Sequence, residues 1–200
     1  MPIDYSGTGT TQKEAFSQST AALLLQITDM GAGVCQICSM WWLEHLKAGG
    51  TADDSSYIFN DTAVTYKNAF IEDRNSGNSW DKILSKALVD RGFKGGLIGG
   101  KKDMVDLEGK GIDESMTSVL NILKASSPNY HIVILGPVGG IDHVCAMHND
   151  NGTYHLFDPN AGHYKTTSDS NAKKWLVKAR DYYYGVSDAL DHWTVVSFST

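Results

Sequence analysis

The sequence predicts an α+β domain, and three observations carry that prediction. Helical apolar spacing dominates the chain up to about Ala125, short β-branched and aromatic runs dominate the remainder, and turn residues separate those runs. Residues 1–12 read as a flexible leader. Lys13 to about Thr28 carries Ala15, Ala21, Leu23, Leu24, Leu25 and Ile27, a helix that ends before Gly31-Ala32-Gly33. A second helix starts near Val34 and runs to about Lys47, where Gly49-Gly50 stops it. Its apolar residues lie almost all round, with Val34, Ile37 and Trp41 on one side and Cys35, Cys38 and Trp42 on another. Such a helix is buried. Asn60 to Phe70 and Ser79 to Asp90 read as helices, the latter capped by Asn78 or Ser79. Gly92 to Gly100 is a Gly-rich loop, and Asp113 to Ala125 is a further helix. Tyr130–Leu135, His143–His148, Thr153–Phe157 and His192–Phe198 then read as strands, with a helix over about Asp169–Tyr184 before the last. Residues 13–200 are expected to form one domain.

Composition narrows the function. The 200 residues are 42% apolar, enough for an ordinary core. A formal net charge of −6 without a basic stripe weighs against nucleic acid and anionic membrane as main partners. With three cysteines at least one thiol is unpaired, which points to a reducing compartment. Met1 to Gln12 has neither a basic nor an apolar signal region, and no run approaches the ~20 apolar residues of a spanning helix. A soluble chain, cytoplasmic when made, is expected. Asn60-Asp61-Thr62 and Asn151-Gly152-Thr153 fit a glycosylation pattern that carries no meaning without a secretory signal. Oligomeric state leaves no trace in the sequence.

The chemistry concentrates in Cys35, His143 and Asp158. The thiolate is the reactive form of cysteine, and a free thiol with a pKa of ~8.5 is mostly protonated at neutral pH. Helix N-termini and imidazolium neighbours favour the anion, and Cys35 stands at the head of the second helix, two residues after Gly33. The other reading of Cys35 is a buried structural cysteine. His143 and Asp158 lie on two strands joined by Asn149-Asp150-Asn151-Gly152, a strong hairpin signal. If Asp150-Asn151 form the loop, His143 lies directly opposite Asp158. If Asn151-Gly152 are central, Asp158 is the diagonal neighbour on the same face. Either register lets the carboxylate orient the imidazole and stabilise its charge. Asp158-Pro159-Asn160-Ala161-Gly162 is also a turn that Asp158 starts. His45, His131, His148, His155, His163 and His192 read as structural. The backbone N–H of Cys35 is the natural first oxyanion donor, with Gln26 and Thr28 as open upstream side-chain candidates.

These segments resemble a known family. Gly33-Val34-Cys35 with Ser39, Trp42 and Leu43 resembles the nucleophile segment of the YopT/AvrPphB-type bacterial effector cysteine proteases. Asp142-His143-Val144-Cys145-Ala146 resembles their histidine segment, and Phe157-Asp158-Pro159-Asn160-Ala161-Gly162 their aspartate segment. The motifs span about a fifth of the chain and leave residues 50–130 unmatched. The resemblance implies a papain-like fold: an N-terminal helical part and a central nucleophile-bearing helix packed on a C-terminal antiparallel sheet. It implies endopeptidase cleavage of a host protein after delivery from a bacterium, without a cofactor. It also implies Cys35 as nucleophile, His143 as general base and acid, and Asp158 as orienting acid. Cys38 stands where a plain small or apolar residue is expected, one turn deeper than Cys35.

Rival signals are present. Cys35-Gln36-Ile37-Cys38 is a C-x-x-C, and Cys145 with His143 or His148 completes a zinc ligand set on paper, yet the pair opens a buried helix instead of a loop. A thioredoxin-like role lacks the βαβ context. Gly95 to Lys101 resembles a P-loop, but Lys102 stands where Ser or Thr should bind magnesium, and a helix precedes it. Papain-like deamidases, transglutaminases and amidases use the same triad, and a non-catalytic binding domain could keep the same shell.

Overall fold

Alternation along the central strands sets the architecture. In β5 (His143–Asp150) Val144 and Ala146 belong to one buried cluster, whereas Cys145 and Met147 belong to another. A strand buried on both faces needs cover on both, and helices supply it. The computed structural model describes residues 3–17, 34–50, 72, 75–78, 80–95, 102–106, 112–125, 129–136, 143–184 and 192–200. In chain order the remaining elements are β1 (Thr11–Ala15), α1 (Val34–Lys47), α2 (Trp80–Val89), β2 (Lys94–Gly95), β3 (Lys102–Asp106), α3 (Ile112–Leu123), β4 (Tyr130–Gly136), β6 (Thr153–Asp158), β7 (Gly162–Thr166), α4 (Asp169–Tyr184) and β8 (His192–Ser199). They form one eight-stranded sheet ordered β1-β7-β6-β5-β4-β8-β2, with β3 also on β8, and every pairing is antiparallel.

Helix α1 lies on β5, with Ser39 Oγ donating to the Val144 carbonyl at 3.1 Å. Its mixed apolar surface is buried as expected: Ile37, Cys38, Met40, Trp41 and Leu43 have no exposure. Gly49, at φ 83°, ends it, and the Gly49 and Gly50 N–H groups return to the Leu46 and His45 carbonyls. Leu84 and Leu88 of α2 and Phe93 join the same cluster. On the other face, Met116, Val119 and Leu120 of α3 pack with Ala172, Trp175, Leu176 and Ala179 of α4.

The N-terminal residues differ from expectation. Residues 3–12, read as a leader, bury Ile3 and Tyr5 in the second core, and the Tyr5 ring stacks on Trp175 at 4.6 Å and 12°. Lys13–Ala15, read as the start of a helix, belong to edge strand β1, paired with β7 through a bulge between Gln12 and Glu14. Ala, Lys and Glu favour helix locally, but strand pairing with β7 overrides that preference here. Within the Gly-rich stretch, Lys94–Gly95 is a short strand on β8. Residues 18–28 of the expected first helix, the Asn60–Phe70 helix, Gly33, Asp142 and residues 96–101 lie outside the described residues, and Gln26 and Thr28 with them.

The expected layout, with a central nucleophile-bearing helix between an N-terminal helical part and a C-terminal sheet, is therefore corrected on two counts. Strands and helices interleave along the chain, and helices cover both faces of the sheet. The thiol gathered with His143 and Asp158 is Cys145, on strand β5 and not on a helix. Register explains it. The β5–β6 turn centres on Asn151 and Gly152, at φ 49° and 88°, and pairs Ala146 with Phe157. One step further along that ladder brings Asp158 beside Cys145, with His143 as the diagonal neighbour.

Candidate active site

His143 opens β5 and Asp158 closes β6, so both stand at the same end of the central hairpin. The His143 Nε2 lies 2.9 Å from Asp158 Oδ1, with both side chains at 2% exposure or less. A carboxylate only accepts hydrogen bonds, so Nε2 carries the proton and Nδ1 is left to exchange one with a thiol. The diagonal register was one of two open in the sequence, and it delivers the contact both registers predicted.

Sequence reasoning missed the carboxylate's other partners. Tyr5 Oη donates to Oδ2 at 2.6 Å, and Tyr183 Oη lies 2.8 and 2.9 Å from the two oxygens. The Asn160 N–H donates to Oδ1 at 2.8 Å, which makes Asp158 an Asx-turn residue as well as the partner of His143. The turn and the pairing with His143 thus coexist on one carboxylate. Tyr183 comes from the last turn of α4, and its ring stacks on the His143 imidazole at 3.9 Å and 19°. The Tyr182-Tyr183-Tyr184 run at the end of a helix was the available signal, but it does not name its target.

Electrostatics follow from this crowding. Burial raises the Asp158 pKa, but the His143 charge and the donors from His143, Tyr5 and Asn160 outweigh it and hold the carboxyl below its ordinary range. Burial lowers that of His143, while Cys145 and Asp158 raise it, and the net is well above 6.5. Burial, then the Asp158 charge, pushes the Cys145 thiol up to about 12. That thiol is neutral at pH 7, so Asp158 is the anion that holds the imidazolium. Burial and the same carboxylate raise both tyrosines far beyond their ordinary values, so they remain hydroxyl donors.

The three thiols differ sharply. Cys38 is fully buried, and burial, with Cys35 beside it, drives its pKa up. Cys145 is 1% exposed and sits within the His143–Asp158 cluster, whose ligand atoms all lie within 4.8 Å of one another. Cys35, at 9%, is the most accessible; its Sγ lies 3.1 Å from Gln36 Oε1, and among the described residues no hydrogen bond joins it to His143. It does lie near enough to Cys145 to add to that thiol's shift.

Cys145, His143 and Asp158 include donor types that zinc accepts. The fit is poor: Asp158 Oδ1 already meets His143, Tyr183 and Asn160, and Oδ2 meets Tyr5 and Tyr183, so the carboxylate is taken up by hydrogen bonds. Four other histidines meet protein partners. His131 bonds Ser197, and burial lowers its pKa to about 3. His148 bonds the Asn129 carbonyl, and His155 pairs with His163 at 3.2 Å.

Comparison with known proteins gives this geometry a context. The fold matches the crystal structure of the Pseudomonas avirulence protein AvrPphB with a TM-score of 0.64 at 19% identity, over 83% of this chain and 91% of that one. It also matches PatoxP, a cysteine protease-like domain of the Photorhabdus asymbiotica toxin PaTox, with a TM-score of 0.50 at 14% identity, over 92% of this chain and 52% of that one. No curated protein sequence matches. Residues 6–181 match the Peptidase C58 family, described as Yersinia/Haemophilus virulence surface antigen. That match spans most of the chain, including both arms of the hairpin and most of the helix that carries Tyr183. The chain belongs to this peptidase family.

Proposed function

We propose that this chain acts as an endopeptidase that cleaves a protein of a host cell after delivery from a bacterium. The observation that carries the reading is the buried, ionised His143–Asp158 pair, with Cys145 in the same cluster and Cys35 near that thiol. In this reading Cys35 is the nucleophile. Its sulfur forms a bond to the scissile carbonyl carbon, and the backbone N–H of Cys35 helps hold the oxyanion. His143 already holds the proton drawn from the thiol when the sulfur attacks, and as an imidazolium gives it from Nδ1 to the leaving amine as the C–N bond breaks. It then draws a proton from water, which hydrolyses the thioester and restores the thiol. Asp158 keeps the imidazole in the tautomer that presents Nδ1. A nucleophile must reach the imidazole, not the carboxylate, and catalytic hydrogen bonds often close only with substrate bound. Supporting Cys35 are its accessibility and its motif; Cys38 lies deeper and Cys145 is neutral and enclosed. A second reading makes Cys145 the nucleophile, favoured by its place in the cluster.

Among the described residues no helix is long and apolar enough to cross a membrane, in keeping with substrates outside the bilayer. The test is mass spectrometry of a proteome-derived peptide library after incubation with wild type, Cys35→Ala, Cys145→Ala and His143→Ala. New termini that vanish in Cys35→Ala and His143→Ala but persist in Cys145→Ala support the first reading. Loss in Cys145→Ala with activity kept in Cys35→Ala establishes the second. Glutamine or asparagine conversion without chain cleavage would replace endopeptidase action by deamidation.

A further inference from the structure

We infer that Tyr183 is a positioning residue for the reaction, fixing the plane of the His143 ring and the orientation of the Asp158 carboxylate; this rests on the roles just proposed for that pair. A carboxylate that serves an imidazole must stay ionised and keep one oxygen turned toward it. Buried at 0% exposure, Asp158 has no water shell to do this. Phenolic hydroxyls replace the water without adding a competing charge. Tyr183 Oη reaches both oxygens, at 2.8 and 2.9 Å, which sets the tilt of the carboxylate plane. The Asn160 side-chain amide donates to the same Oη at 3.0 Å, so the hydroxyl hydrogen is free to turn toward the carboxylate.

The ring performs the second task. Stacked at 3.9 Å and 19°, it covers one face of the imidazole, prevents it from turning out of line with Oδ1, and presents π-density to the imidazolium. Among the described residues, the other titratable groups near His143 and Asp158 are Cys145 from β5, Tyr5 from the N-terminal segment and Tyr164 from β7. Tyr5 reaches only Oδ2, the oxygen His143 does not use. Of the two tyrosines bonded to the carboxylate, Tyr183 is the one that touches both members of the pair. Its helix is anchored on the same segment, through Lys178 Nζ to the Ser6 carbonyl and Asn171 Nδ2 to the Gly9 carbonyl, both at 2.9 Å.

The experiment compares the full chain with its Tyr183→Phe and Tyr183→Leu variants by kcat, KM and NMR titration of His143. Tyr183→Phe keeps the stacked ring and loses the hydroxyl; kcat falls about tenfold, KM is unchanged, and the raised His143 midpoint is kept. Tyr183→Leu also loses the ring, so water reaches the pair, kcat falls further, and the midpoint drops toward the ordinary imidazole value. The inference is overturned if both folded variants keep kcat within twofold, if the losses lie wholly in KM, or if the midpoint in Tyr183→Leu does not move. Should Tyr183→Leu fail to fold, kcat of Tyr183→Phe decides. The titration needs no turnover, so a wild-type chain that cleaves nothing sinks the protease reading while the NMR arm still judges Tyr183.

Discussion

Replacing Asp158 with Asn tests the electrostatic core of the site, because it removes one charge and changes almost no volume. In the wild type Oδ1 accepts from His143 Nε2, the Asn160 N–H and Tyr183, while Oδ2 accepts from Tyr5 and Tyr183. In Asp158→Asn the amide oxygen takes the Oδ1 place, since an NH2 there would face two N–H donors. Tyr5 and Tyr183 can rotate their hydroxyls to accept from the NH2 on the other side. Shape survives, and the counter-charge of a 2%-exposed imidazole is lost. Breaking a buried ion pair by removing one partner costs about 3–5 kcal/mol. The sign of the pH dependence is fixed by the shifts. The raised His143 pKa contributes stability in full below 6.5, and loses it as pH rises through the folded value. The lowered Asp158 pKa contributes in full above 3.8, and loses it as pH falls through its folded value. The gap between wild type and Asp158→Asn, measured by urea unfolding across pH, is therefore widest between the two ordinary values. Above 6.5 the wild type loses stability. In Asp158→Asn desolvation, the largest influence on the buried imidazole, is no longer opposed by the carboxylate, so its midpoint falls below 6.5 and stability rises with pH over about pH 5–7. Turnover drops by a factor on the order of 10³–10⁴. Parallel pH slopes in the two proteins, or a gap under about 1 kcal/mol at pH 6, would refute an ionised pair.

Two further substitutions probe what holds the pair in place. Gly152→Ala adds a Cβ that meets nothing within 4 Å but forces an L-residue to φ 88°, so a loss of about 1–2 kcal/mol is expected, read as a lower urea midpoint with unchanged slope. Trp175→Ala empties a fully buried site in the second core and removes the ring on which Tyr5 stacks. The expected cost is about 3–5 kcal/mol by denaturant unfolding, with a turnover loss at temperatures where the variant is still folded.

Much of the central architecture was legible because its signals are local. The all-round apolar character of Val34–Lys47 demanded burial, and Asn151-Gly152 could serve as the two positive-φ residues of a tight hairpin. The hairpin in turn delivered His143 to Asp158 under either register. Which thiol stands beside them was not legible, because that depends on the register itself: a shift in the turn centre exchanges His143 and Cys145 as the residue across from Asp158. The edge strand Thr11–Ala15 was hidden for a related reason. Its pairing partner, Gly162–Thr166, is far along the chain, and nothing in Thr-Gln-Lys-Glu-Ala announces a strand. Tyr5 and Tyr183 were equally silent, since each comes to the carboxylate by the packing of a distant segment.

The way Asp158 is buried argues for chemistry over stability. Desolvating an ion pair costs several kcal/mol per ion, and well-packed apolar residues of similar volume often hold a core as firmly. A purely structural solution at the open end of the hairpin would continue the apolar runs of the neighbouring strands, such as Ile132-Val133-Ile134-Leu135. The chain instead brings two phenols, a backbone amide and an imidazole to one carboxylate, drawn from an N-terminal segment, a turn, a strand and the final turn of a helix. Each contact compensates part of a desolvation cost that the fold did not need to incur. What the arrangement supplies is an imidazole whose tautomer and plane are set, and whose charge is stabilised in a space closed to water. Those are the properties an imidazole requires if it is to hold a proton drawn from sulfur and give it to a leaving amine.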